Sequence, residues 1–376
     1  MSVEIIPVTT NKQKKAFINL EWEINKNTPN WVSPLRMERA KILNTKKNPF
    51  YQHSEIQLFL AEKDGKLSGR IAAITNQNHT DFQKDDAGFW GFFDCINDQE
   101  TANALFDAAA TWLKERKRDK MIGPMNPSLN DEAGLLIEGF DTPPYIMMTH
   151  NPDYYQILVD NYGNKKIKDV YALHVTVQNA KEHISEKMKR VAEKTMQRYN
   201  IKLRTINLKE FNKDVNTVME IYNDAWSDNW GFVPFTDAEI DMLAADLKQI
   251  ADERMVLFAE INGEAIGFIV TIPNINEVLM KIPNGKLFPS GVFKLLTGIK
   301  KIKTLRVIIL GIKKGHQRSG LGANLYLNSI LLADKYGYEA SEMSWILEDN
   351  YTMLRPLEDF GAQRYKKYRL YTYPLA

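Results

Sequence analysis

His316-Gln317-Arg318-Ser319-Gly320-Leu321-Gly322 lies between the aliphatic run Arg306-Val307-Ile308-Ile309-Leu310 and a stretch that places Leu321, Leu325 and Leu332 on one helical face. The order is strand, glycine-bearing turn, helix. The first N–H groups of a helix have no partner inside it, and the helix dipole favours negative charge at that end. Gly320 and Gly322 carry no Cβ, so a diphosphate can come close to the backbone. Arg318, Lys313 and Lys314 add positive charge. The stretch therefore predicts an anion site. No Gly-Lys-Ser/Thr follows and no Gly-x-Gly-x-x-Gly is present, which excludes the two commonest nucleotide loops.

The spacing Gln-x-x-Gly-x-Gly, five residues after the strand aliphatic Ile312, resembles the acyl-CoA pyrophosphate loop of the GNAT superfamily of N-acyltransferases. An ordinary glycine-rich turn carries the same letters, so the wider order of elements has to decide. The resemblance implies that Gln317, Arg318, Ser319, Gly320, Leu321, Gly322 and Ala323 hold acetyl-CoA or a longer acyl-CoA as a substrate. It also implies an oxyanion donor among the backbone N–H groups of Leu310, Gly311 and Ile312.

Two copies of one unit are visible. Residues 61–69 read Ala-Glu-Lys-Asp-Gly-Lys-Leu-Ser-Gly, and residues 259–267 read Ala-Glu-Ile-Asn-Gly-Glu-Ala-Ile-Gly. Each sits between two apolar runs, with a hairpin turn expected at Asp64-Gly65 and Asn262-Gly263. Around these hairpins both halves follow the order β-α-(α)-β-β-β-α-β-α-β, which resembles the GNAT order over nearly the whole chain. The expected fold is mixed α/β: two GNAT-like domains at 1–178 and 201–376, each a mostly antiparallel twisted sheet flanked by helices, with 179–200 a linker or helix. Where the second copy has Gln317 to Gly322, the first has Asn97-Asp98-Gln99-Glu100. Two acids there would repel a pyrophosphate, so the first copy is expected to be degenerate.

Composition narrows the class. The 376 residues are 44% hydrophobic and 26% charged with a net charge of +2, which gives no global case for nucleic acid. The start lacks a signal-peptide layout, no apolar run reaches membrane-spanning length, and a cytoplasmic protein is expected. Cys95 is the only cysteine and reads as a buried structural thiol. The histidines show no metal-ligand spacing, so no metal is expected.

Amide formation from a thioester needs a neutral amine near the carbonyl carbon, a preorganised oxyanion donor and a route for one proton. In the GNAT pattern an Asn follows the fifth strand and a Tyr seven residues later often serves as acid. Asn350 matches the Asn; Leu357 stands where the Tyr would be. Glu348, Asn350 and Tyr351 are the candidate catalytic residues, although Asp349 or Asn350 would equally cap a following helix. Trp226, Asp228, Asn229 and Trp230 are candidate acceptor-pocket residues, as the resemblance implies. Asn126 and Asp131, in the matching loop of the first copy, are candidates for facing the substrate; a turn or surface connection would use the same residue types.

Residues 278–306 contain no acid but carry Lys281, Lys286, Lys294, Lys300, Lys301, Lys303 and Arg306. Val292, Leu295, Leu296, Ile299 and Ile302 share a helical face. Such a stripe can rest on an anionic membrane or cover a greasy pocket, and it can also pack on the core. The readings that emerge are an acyl-CoA-dependent N-acyltransferase acting on a small or lipid-like amine by direct attack, a non-catalytic acyl-CoA sensor, and an aminoacyl-tRNA-dependent transferase of the tandem cell-wall class. The arrangement also resembles GNAT-type proteins of bacterial lipid metabolism that N-acylate long-chain amino bases.

Overall fold

The computed structural model describes residues 2–375. In chain order the first strands are β1 (Glu4–Pro7), β2 (Ser54–Lys63), β3 (Lys66–Asn76), β4 (Ala87–Cys95), β5 (Lys120–Gly123), β6 (Met125–Asn126), β7 (Glu132–Ala133) and β8 (Leu135–Glu138). The rest are β9 (Lys165–Thr176), β10 (Ile201–Thr205), β11 (Val256–Ile261), β12 (Glu264–Pro273), β13 (Thr304–Ile312), β14 (Ala340–Leu347) and β15 (Gln363–Pro374). Two compact units form. One holds the chain up to Val170, Asn276–Leu296 and the residues from Lys366; the other holds Tyr171–Ile275 and Thr297–Tyr365.

In the first unit β1, β2, β3 and β4 pair antiparallel in sequence order, and β5 joins β4 in parallel. Residues Tyr371–Pro374 of β15 then pair with β5. In the second unit β10, β11, β12 and β13 repeat the antiparallel run, β14 joins β13 in parallel, and β9 is the other neighbour of β14. In each unit the strand beside the parallel one comes from the far half of the sequence. The segment 179–200 is helical, in Val177–His183 and Glu186–Arg198.

Both predicted hairpin turns have the positive φ pair that a type I′ turn requires: 54° and 72° at Asp64-Gly65, 52° and 85° at Asn262-Gly263. Both hairpins shift register at the same place, Ala61/Glu62 and Ala259/Glu260. The second repeated glycine has a packing reason. A Cβ on Gly69 would lie 2.7 Å from Leu105 Cδ1, and one on Gly267 would lie 3.0 Å from Leu321 Cδ2. Glycine lets the Gln99–Glu115 and Leu321–Lys335 helices lie close on their sheets.

The first core gathers Phe59, Ile71, Trp90, Phe106, Leu113, Tyr155 and Tyr371. The second unit buries Leu257, Ile269, Val307, Leu325, Met343, Leu354 and Leu357 in one cluster and Ile221, Tyr222, Phe258 and Phe268 in another. Cys95 is fully buried, and that burial is the main cause holding its thiol above the usual range. In the acid-free segment, the helix Ser290–Ile299 half-buries Val292, Leu295 and Ile299, and Ile302 beyond it is buried. Most of the predicted stripe therefore packs inward. Leu296 does not: it stands 66% exposed, with Phe293 at 72% and the preceding Phe288 at 76%. Among the described residues no helix is long and apolar enough to cross a membrane.

Candidate active site

In the second unit β13 runs into a 3-10 turn, Lys314–Ser319, and then into the helix Leu321–Lys335. Gly320 occupies the helix N-cap with φ 81°, the left-handed region that favours glycine, and no side chain caps this end. A Cβ on Gly320 would meet only Thr195 Oγ1 at 3.8 Å, so conformation, not space, requires the glycine. Ser319 Oγ donates to the His316 carbonyl at 2.6 Å and accepts from the Leu321 N–H at 3.3 Å. Gln317 and Arg318 are exposed, Gly322 is half-buried and Ala323 is exposed. The lysines read as anion ligands are committed elsewhere. Lys313 pairs with Glu220 at 2.7 Å and Glu264 at 2.9 Å, and Lys314 pairs with Asp228 at 2.7 Å. The loop presents backbone N–H groups more than lysine charge, and an anion of diphosphate type fits them.

The strands open beside this loop. Registered β13–β14 pairs run from Thr304–Ala340 to Val307–Met343 and then stop. On the other side Val270 faces Ile309 while Thr271 faces Val307, so Ile308 is an extra residue. Such a bulge bends and re-aims a strand. It carries Leu310, Gly311 and Ile312 away from β14 and toward the turn.

Trp226 Nε1 donates to the Leu310 carbonyl at 3.1 Å, and Lys314 N–H donates to Asp224 at 2.7 Å. These contacts tie the Trp226–Trp230 segment to the strand and turn of the anion loop. The Asn229 N–H is taken by Trp226 O at 2.9 Å; Trp230 is half-buried. Glu348 sits half-buried just past β14, and Tyr351 is 56% exposed at the first position of the helix Tyr351–Asp359. Asn350 caps that helix, accepting from Met353 N–H at 3.2 Å. Leu357 is buried in the core.

Asn126 and Asp131 lie in the first unit. There β4 carries its own bulge, with Phe92 at φ 48° between Arg70–Asp94 and Ala72–Gly91. The Phe92 N–H donates to Asn126 Oδ1 at 2.6 Å. Asp131 accepts from Ser128 Oγ at 2.6 Å. The helix that follows is capped by Asp98, which accepts from Thr101 N–H at 2.9 Å and pairs with Lys63 at 2.9 Å.

Sequence reasoning missed a buried polar cluster on β13 and β14. Arg306 and Glu342 are a registered pair, and Glu342 is 0% exposed. Arg306 Nε donates to Ser344 Oγ at 2.9 Å and lies 3.8 Å from Glu342; Ser344 Oγ donates to Glu342 Oε1 at 2.5 Å. The Tyr365 hydroxyl donates to Glu342 Oε2. The His174 ring lies 5.4 Å from the Tyr365 ring, and burial holds the pKa of this imidazole below its ordinary value. The available signal was a charged residue inside each of two strands destined for a core.

Comparison with known proteins agrees with this geometry. A tandem GNAT protein of clavulanic acid biosynthesis superposes with TM-score 0.56 and 11% identity, covering 100% of this chain and 99% of its own. A GCN5-related N-acetyltransferase from Sphaerobacter thermophilus gives 0.55 at 11% identity over 99% and 96%. The glucosamine N-acetyltransferase region of a fungal multi-domain β-N-acetylglucosaminidase gives 0.59 at 13% identity over 99% of this chain, which spans 38% of that protein. The protein has the tandem GNAT fold and is an acyltransferase. No family model matches it. In sequence it is 40% identical over 381 residues to the bacterial ceramide synthase of Caulobacter vibrioides (98% of this chain, 97% of the relative), and 38% identical over 363 residues to protein YghO of Escherichia coli (95% and 92%). The chain belongs to the family of the bacterial ceramide synthase.

Proposed function

We propose that the protein is an acyl-CoA-dependent N-acyltransferase whose acceptor is a long-chain amino base and whose active site lies in the second unit. The amine nitrogen attacks the thioester carbon, a C–N bond forms, the C–S bond breaks and free CoA leaves as the thiol. The observation that carries CoA dependence is the Gly320 turn: a left-handed glycine opening a helix that has no side-chain cap, at the end of a strand that has just parted from its neighbour. Backbone N–H groups at Gly322 and Ala323 then hold the diphosphate, and those of Leu310 to Ile312 face the developing oxyanion. The lipid-like acceptor rests on kinship with the ceramide synthase of Caulobacter vibrioides.

The first unit is read as a degenerate copy. Its bulge amide at Phe92 is occupied by Asn126, and its helix start carries Asp98 in place of an open N-terminus. Asn126 is thereby reassigned, in this reading, from a substrate contact to a plug. Phe288, Phe293 and Leu296 are taken to insert into the headgroup region of an anionic membrane. The acid-free lysine-bearing segment around them is complementary to that surface, and a lipid-like substrate would be met there.

The test pairs acetyl-, octanoyl- and palmitoyl-CoA with a sphingoid base, following thiol release and the amide by mass spectrometry. Equal amounts of thiol and amide with the long-chain pair are expected. Absence of amide with every pair refutes the assignment.

A further inference from the structure

A carboxylate removed from water costs several kcal/mol unless its partners compensate. The usual compensation is a direct arginine fork. Glu342 is served differently. Its Oε1 accepts from Ser344 and its Oε2 accepts from Tyr365, while Arg306 stands 3.8 Å off and bonds the Ser344 hydroxyl and carbonyl. The result is a buried carboxyl group with a phenol as one hydrogen-bond partner and a guanidinium 3.8 Å away that donates to the serine hydroxyl bonded to the same carboxyl.

The place is as telling as the chemistry. Arg306–Glu342 is the registered pair just before Val307–Met343, the last one, so the cluster sits where β13 and β14 begin to part. Side chains alternate along a strand. Val307 and Met343 belong to the apolar core on one face, which leaves Arg306, Glu342 and Ser344 on the other. The residue matching the usual acid is the buried Leu357, and Asn350 is spent on a helix cap.

We propose that Tyr365, held by the buried Glu342 carboxylate, is the catalytic residue that takes the proton from the attacking amine. As the C–N bond forms, the nitrogen proton passes to the Tyr365 oxygen while the phenol's own proton passes to Glu342. When the C–S bond breaks, the reverse transfer delivers one proton to the thiolate, and the pair returns to its starting state. Arg306 and Ser344 are positioning residues that keep Glu342 aimed at Tyr365. The groups gathered around Glu342 and Tyr365 are Arg306 from β13, Ser344 from β14 and His174 from β9. This mechanism rests on the acyl-transfer reading above.

The experiment compares wild type with Tyr365→Phe and Glu342→Gln in the full chain, using palmitoyl-CoA and a sphingoid base. Thiol release across pH gives kcat and KM, and palmitoyl-CoA binding and melting temperature are measured on the same samples. General acid–base help is worth about 10²–10⁴-fold, so kcat of Tyr365→Phe is expected to fall by that order, with donor binding and melting temperature unchanged. The wild-type kcat should rise with pH through one apparent ionisation of the pair, and the variant should lose that limb. Undiminished kcat, or a loss of rate matched by equal losses of binding and melting temperature, overturns the proposal. Tyr365→Phe removes one oxygen from a half-buried ring, so it decides the matter even where Glu342→Gln does not fold. Failure of the wild type to form amide would defeat the functional reading instead, and is read separately.

Discussion

Gly322→Asp separates the anion-site argument from any argument about folding. A Cβ at Gly322 would lie 3.4 Å from Ile312 Cδ1, an ordinary contact, and Gly322 does not have the positive φ of Gly320. Asp is no worse than Gly inside a helix, and a negative charge in the first turn gains about 0.3–1 kcal/mol from the dipole. The fold should therefore be unaffected or slightly more stable. Binding should suffer, because the new carboxylate stands where a diphosphate is proposed to rest. Two unit charges about 4 Å apart repel by about 1 kcal/mol at the dielectric of water and about 4 kcal/mol at an effective dielectric of ~20. The half-exposed turn lies between these limits. A loss of about 2 kcal/mol corresponds to a Kd for CoA raised about 30-fold. Calorimetric titration of CoA measures it, with Gly322→Asn as the neutral control of similar size. The Asp variant should also regain affinity relative to wild type as salt is added, since screening weakens the repulsion. Equal affinity of the Asp and Asn variants would refute the reasoning, whatever either does to activity.

Replacing Phe293 and Leu296 together with Glu should abolish sedimentation with phosphatidylglycerol vesicles and leave the melting temperature unchanged, because both side chains are largely exposed; binding of the wild type equal for neutral and anionic vesicles would contradict the electrostatic part. Asp98 caps the Gln99–Glu115 helix, and although burial pushes its pKa up, Thr101 and Lys63 outweigh this and hold it below the ordinary carboxylate value. A depressed carboxylate stabilises the fold above its unfolded pKa of about 3.9 and loses that contribution as pH falls through its folded value. Asp98→Ala should thus cost about 1 kcal/mol of unfolding free energy at pH 7 and progressively less below about pH 4, as read by urea titration at each pH. Trp226→Phe should remove the indole bond to Leu310 O and cost about 1 kcal/mol in the same assay, with thiol release falling through a loosened strand end.

The sequence by itself determined what neighbours in the chain can decide. Asp64-Gly65 and Asn262-Gly263 specify their turns because few other pairs accept two positive φ values. The repeated Ala-Glu…Gly…Gly pattern announced a duplicated unit, and Gly320 marked a helix opening, since each depends on backbone conformation within a few residues. Tertiary structure alone decided the rest. The closing strand of each half reads as ordinary, but alternation carries no address for the neighbour a strand will join, so the pairing of β15 with β5 and of β9 with β14 was invisible. Lys313 and Lys314 looked available until Glu220, Glu264 and Asp228, remote in sequence, came within ion-pair distance. Arg306, Glu342 and Tyr365 stand on three strands, and a charge inside an apolar strand announces only that it needs a partner. Which partner it finds, and what proton chemistry follows, is settled by sheet register and burial together.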